Sequence, residues 1–239
     1  MASFYSNIAL LHGLLGIGAF GSFWTAALTM KGSPVHRRAG RIYLVIMTGL
    51  MLSATWLAAV IAQRGRIVLA SFLAYLVLIT ATSMALGWRA VRRPRDRAAY
   101  YGRSFRVLAV VNLLVSVGVL VLGLRVSNVL LSGFSIAGLL VGTRMLQGAR
   151  RTAAAESRPW WLEEHYVAML GCGVATHIAF LAIGAPRIAA ALGVQLPGWY
   201  SLLAWFAPLA LAQLAVLALR RRYASPRIAA LALPSSASG

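Results

Sequence analysis

"HRRAGRIYLVIMTGLMLSATWLAAVIAQRGR" fills residues 36–66. A histidine and three arginines come first, and then no charged residue appears between Arg41 and Arg64. A helix needs roughly 20 mostly apolar residues to cross the hydrocarbon of a bilayer. Hydrocarbon offers the backbone no hydrogen-bond partners, so such a segment must satisfy its own N–H and C=O groups, which a helix does. Just upstream, "KGSP" supplies a helix start: Ser33 suits the N-cap and Pro34 the first helical position. His36 then falls in the first turn, at the edge of the membrane.

The same pattern recurs along the chain. Apolar runs extend from about Ile8 to Met30, Gly40 to Ala62, Ile67 to Val91, Phe105 to Leu124, Val129 to Gln147, Tyr166 to Gly184 and Tyr200 to Leu219. Only 11% of the 239 residues are charged, against about 25% in soluble domains. The stretches between runs are too short for a further domain. The reading is all-α: one polytopic membrane bundle of seven transmembrane helices over residues 1–239, with a disordered tail from about 233.

The formal net charge of +19 raises the question of nucleic acid, and the placement of the cations answers it. Lys31, Arg37, Arg38 and Arg41 lie between the first two runs, and Arg89 to Arg106 flank the third junction. Arg144, Arg150, Arg151 and Arg158 flank the fifth, and Arg220, Arg221, Arg222 and Arg227 follow the last run. The intervening junctions hold only Arg64, Arg66, Arg125 and Arg187. Alternation of this kind is the positive-inside pattern, which for seven spans puts the N-terminus outside and the C-terminus in the cytoplasm. The expected location is the inner (cytoplasmic) membrane, with the basic ends against anionic lipid and no nucleic-acid partner.

No Lys or Arg precedes Lys31, and the first apolar run exceeds a signal-peptide core, so no cleaved signal is expected. Cys172 is the only cysteine, which excludes a disulfide within the chain and a thiolate zinc cluster. Tyr100, Tyr101, Trp160 and Trp161 read as interfacial aromatics, and "APRIAAALG" as a short helix on the outer surface, opened by Pro186 and closed near Gly193. Asn112 and Gln213 read as buried amides, and Arg144 as a side chain that snorkels to the basic face.

Ionisable residues within a membrane are rare and mark function, so the four histidines carry the functional reading. Placed on this topology, they sort into two layers: His12 with His177 outside, and His36 with His165 inside. Two histidines on different helices at one depth are what a b-type haem requires, one imidazole approaching the iron from each face. Gly16, Gly40 and Gly173 each lie four residues from a histidine, where a missing side chain gives a flat ring room. Arg37, Arg38 and Arg41 can pair with haem propionates. The expectation is an electron-transfer protein holding one or two haems b, with a quinone or another redox partner.

Two other readings compete. The histidines can serve as hydrogen-bonded helix glue, with Thr25 or Thr176 as partners, in a non-redox membrane carrier or assembly protein. Alternatively, Glu163, Glu164, His165 and His36 can form a site for zinc or non-haem iron in a metal-dependent membrane enzyme. No phosphate loop or nucleophile motif is present.

The segments "HRRAGRIY", with His36, Arg37, Gly40 and Tyr43, and "HYVAM", with His165, Tyr166 and Met169, carry a resemblance. They resemble a bacterial family of multi-pass membrane proteins with a domain of unknown function, in which such segments open two membrane helices. The resemblance covers the first two helices and the sixth. It implies a membrane fold and singles out these histidines. Di-haem transmembrane b-type cytochromes are similar in their two-layer use of histidine.

Overall fold

A computed structural model describes residues 2–150 and 159–223. The expected disorder beyond residue 233, Glu156, and the second PRIAA segment lie outside the described residues. All described elements are helical: α1 (Ala2–Leu28), α2 (Pro34–Gln63), α3 (Ile67–Arg92), α4 (Arg97–Tyr100), α5 (Arg103–Arg125), α6 (Val129–Arg150), α7 (Trp160–Ile178), α8 (Ala185–Ala191) and α9 (Tyr200–Tyr223). A π-helical segment, Ala179–Gly184, joins α7 to α8 without a break. Seven helical stretches are long and apolar enough to cross a membrane, with α4 continued by α5 and α7 continued through α8 each counting as one.

The start of α2 forms as its sequence predicts. Pro34 opens the helix, and Ser33 Oγ accepts from the His36 N–H at 3.1 Å. Its far end is closed by Gly65 at φ +76°, a left-handed conformation that glycine adopts without strain.

Helices α3 and α7 lie at the centre. α3 packs on α2, α5 and α7, while α7 also meets α1 and α9; α6 leans on α5. Lipid gives no hydrophobic drive to join apolar helices, so close approach and interhelical hydrogen bonds must hold them. At Gly87 on α3 any β-carbon would collide with Met169 and press within 3.1 Å of Ala168 on α7. At Gly138 on α6 it would collide with the Tyr75 hydroxyl. That hydroxyl bridges three helices, lying 2.9 Å from Ser116 Oγ and donating to the Phe134 carbonyl at 3.1 Å. Asn112 donates to Thr82 Oγ1 at 3.1 Å, as a buried amide should, and Tyr43 pairs with Thr176 at 2.9 Å. Each such contact is worth about 0.6 kcal/mol in membrane bundles.

Three expectations are corrected. Gln213 is exposed rather than buried, its Oε1 3.5 Å from Arg144 Nη1, so that cation reaches across to α9. Tyr100 and Tyr101 are not headgroup aromatics: both are buried with Phe105 and pack on Trp160, within 6 Å between ring centroids. The composition of an interfacial belt and of a folded aromatic corner is the same, so sequence could not separate them. Finally, α8 continues α7 instead of standing apart. Pro186 lacks an N–H, and in the π register the carbonyl it leaves unpaired is that of Leu181. The Tyr200 hydroxyl donates to that oxygen at 2.9 Å.

The outer face of the bundle is apolar, with Leu28, Val45, Leu52 and Leu114 largely exposed, which suits lipid rather than water.

Candidate functional site

At the end of the bundle where the arginines gather, two helix starts bring His36 and His165 together. The cap at Ser33 sets His36 in the first turn of α2, against the end of α1. The last carbonyls of α1 have no partner within their own helix. The His36 Nδ1 lies 2.9 Å from one of them, that of Ala26. Lys31 also donates to Ala26 and Ala27. Partial burial, and then the nearby Arg222 charge, lower the pKa of Lys31.

His165 stands in the second turn of α7, with Nδ1 3.1 Å from the carbonyl of Gly87 on α3. The missing side chain at Gly87 is what lets α7 come this close. A carbonyl only accepts, so in both rings Nδ1 carries the proton. In the neutral form each Nε2 then keeps its lone pair. The ring centroids are 6.5 Å apart and the planes cross at 80°. A metal–imidazole bond is about 2.0–2.1 Å long, so two rings ligating one metal from opposite sides hold their centroids roughly 6.3 Å apart. The pair can ligate.

Neither glutamate joins them. Successive residues on a helix turn by about 100°, and the three side chains of "EEH" part accordingly. Glu163 accepts from Arg220 Nε and Nη2 at 2.8 and 2.7 Å, tying α7 to α9. Glu164 accepts from the Tyr101 hydroxyl at 2.8 Å and from that of Tyr100 at 3.1 Å. Among the described residues no three His, Cys, Asp or Glu are grouped to hold a metal. The set Glu163, Glu164, His165 and His36 is therefore not assembled as a zinc or non-haem iron site.

The other two histidines stay apart. His12 Nδ1 is 2.8 Å from Ser53 Oγ on α2. The serine proton goes to the Gly49 and Leu50 carbonyls, at 2.9 and 3.0 Å, so Ser53 accepts from the imidazole. His177 Nδ1 donates to the Gly173 carbonyl at 2.7 Å. Its ring is surrounded by Phe20, Phe23 and Trp24 of α1, at centroid distances of 5.2, 5.3 and 5.5 Å. Those residues lie about 12–18 Å along α1 from His12 at 1.5 Å per residue. The expected common depth of His12 and His177 assumed upright helices. Instead α1 crosses α7 with its second half against Gly173 and His177.

Of the three glycines, Gly173 does admit a flat ring, but it is Phe23, 2.6 Å from where a β-carbon would stand. Gly16 and Gly40 have nothing within 4 Å of that position. Arg37, Arg38 and Arg41 follow His36 on the helix but turn to the opposite, exposed face, because their offsets of one, two and five residues rotate them by about 100–200°. Thr25 bonds its own helix at Gly21 and Thr176 bonds Tyr43, so neither serves a histidine.

Sequence reasoning missed the partners that orient the two imidazoles. Ala26 and Gly87 contribute backbone carbonyls, which no residue type signals. Gly87 alone left a trace, as a glycine inside an apolar helical run. No family model, curated protein or solved structure matches the chain.

Proposed function

We propose that this is a multi-pass protein of the cytoplasmic membrane that holds one b-type haem on His36 and His165 and passes electrons near the cytoplasmic face. The odd number of spans, read with the positive-inside pattern, puts the N-terminus outside and the C-terminus inside. The observation that carries the haem reading is the convergence of two imidazoles whose Nδ1 protons are already committed to backbone carbonyls. Such outer partners fix ring orientation and raise ligand basicity.

The donor set fits the group. Two neutral nitrogens with free lone pairs suit low-spin iron, and Gly40, four residues beyond His36, leaves open space beside it. When bound, the haem supplies a one-electron couple. The chain's part is to hold both rings still and to keep each Nε2 unprotonated. Ala26 and Gly87 do this for His36 and His165. A membrane quinone or a cytoplasmic redox protein would exchange the electron.

The outer histidines favour a different role. His12 bridges α1 to α2 through Ser53, and His177 fills an aromatic pocket on α1. Both act as helix glue in this reading, so one haem is proposed rather than two.

The test is a reduced-minus-oxidised optical spectrum of detergent-solubilised protein expressed with haem available. A low-spin haem signal is expected from the wild type and from His12→Gln and His177→Gln. It should vanish in His36→Gln and His165→Gln. A wild-type sample without haem absorption, or an unchanged spectrum in both inner variants, rejects the reading.

A further inference from the structure

Arg37, Arg38 and Arg41 are not explained by the histidine pair, which lies on the other side of α2. With Pro34 and Ile42 they line an open concavity of about 350 Å³ at the basic end of the helix. All three are exposed, and their side chains make no hydrogen bond or ion pair among the described residues. The acids cannot neutralise them: Glu163 is held by Arg220, Glu164 by two tyrosines, and Asp96 caps α4 through the Ala99 N–H. Three guanidiniums within five residues, all unpaired, repel one another unless an anion stands between them.

The surface below them says which anion. At about 100° per residue, Arg38, Arg41, Val45 and Leu52 fall within about 60° of one another around α2. Val45 is 74% and Leu52 70% exposed, so an apolar strip runs from the arginines towards the middle of the span. A free phosphate would use only the top of this surface. A phospholipid uses all of it, with phosphate oxygens in the guanidinium forks and an acyl chain along the strip. A net-negative lipid is preferred, because a choline or ethanolamine cation would sit against the arginines.

We propose that Arg37, Arg38 and Arg41, with Pro34 and Ile42, form a site for the phosphate of one anionic phospholipid whose acyl chain lies along Val45 and Leu52. The site is independent of the haem reading, since its residues face away from His36.

The experiment is native mass spectrometry of the full-length protein in detergent, mixed with phosphatidylglycerol, phosphatidylcholine or inorganic phosphate. The wild type should retain one phosphatidylglycerol in preference to phosphatidylcholine, and excess inorganic phosphate should not displace it. The triple variant R37Q/R38Q/R41Q should lose at least about ten-fold of the bound fraction, as expected for several charge-assisted contacts. R93Q/R95Q/R221Q removes the same charge from the same end of the bundle and should bind as the wild type does. Single variants R38Q and R41Q serve if the triple variant does not fold, each with an expected loss of about three-fold. Equal retention by the triple variant or by both singles overturns the proposal. So does equal binding of phosphatidylcholine, displacement by inorganic phosphate, or an equal loss in the control variant.

Discussion

The histidines at the two heights of the bundle differ in what surrounds them, although their sequence contexts look alike. His36 and His165 each give Nδ1 to a backbone carbonyl of a different helix and meet ring to ring. His12 and His177 are each satisfied separately, one by a serine hydroxyl and one by its own helix within a wall of aromatic rings. A buried imidazole must find a partner in either case. What distinguishes a ligand pair from two structural residues is therefore whether the unprotonated nitrogens share a neighbourhood, not whether the rings are buried.

That contrast can be broken by mutation, and the largest effect should come from the inner pair itself. His36→Gln or His165→Gln is expected to abolish the haem spectrum, whereas His12→Gln and His177→Gln leave it intact. Next comes Gly87→Val, which drives a side chain into Met169 and Ala168 at the α3–α7 crossing. Overpacking of this kind costs about 1–3 kcal/mol, and it also displaces the carbonyl that orients His165. Thermal unfolding in detergent should show the stability loss, and the haem content should fall in the same variant. An unchanged melting temperature would mean that the helices can part without penalty.

Smaller still is Glu163→Gln, which leaves Arg220 without its counter-charge. The pair is partly exposed, at 30% and 23%, so a loss of about 1 kcal/mol or less is expected from thermal unfolding. The smallest change should follow Ser53→Ala. It removes the hydroxyl that holds His12, at about 0.6 kcal/mol, with no effect on the spectrum. A spectral shift in Ser53→Ala would give His12 a part in the cofactor site and erase the contrast between the two layers.

Much of this was legible in the chain. Seven apolar runs, the cap at Ser33 and Pro34, and the shared level of His36 and His165 all follow from local rules. The two inner histidines start helices at the same membrane edge, so tilt has little length over which to separate them. His12 and His177 sit well inside their helices, where a modest crossing angle accumulates into several turns of mismatch. Tyr100 and Tyr101 were misplaced because aromatic composition does not tell lipid from a folded corner. Gln213 was misplaced because burial depends on which face α9 turns to α7, and its apolar sequence shows almost no preferred side.

The widened turn from Ala179 to Gly184 has a consequence of phase. Each π turn holds one residue more than an α turn, so everything beyond it is advanced by about 100° around the axis. A deletion of one residue there would restore ordinary winding while barely shortening the rod. It would swing Leu181 away from Tyr200 and re-aim the whole connector that leads into α9. Length changes in this segment would thus be felt by the last helix as rotation, and its arginine-rich end would be carried around with it.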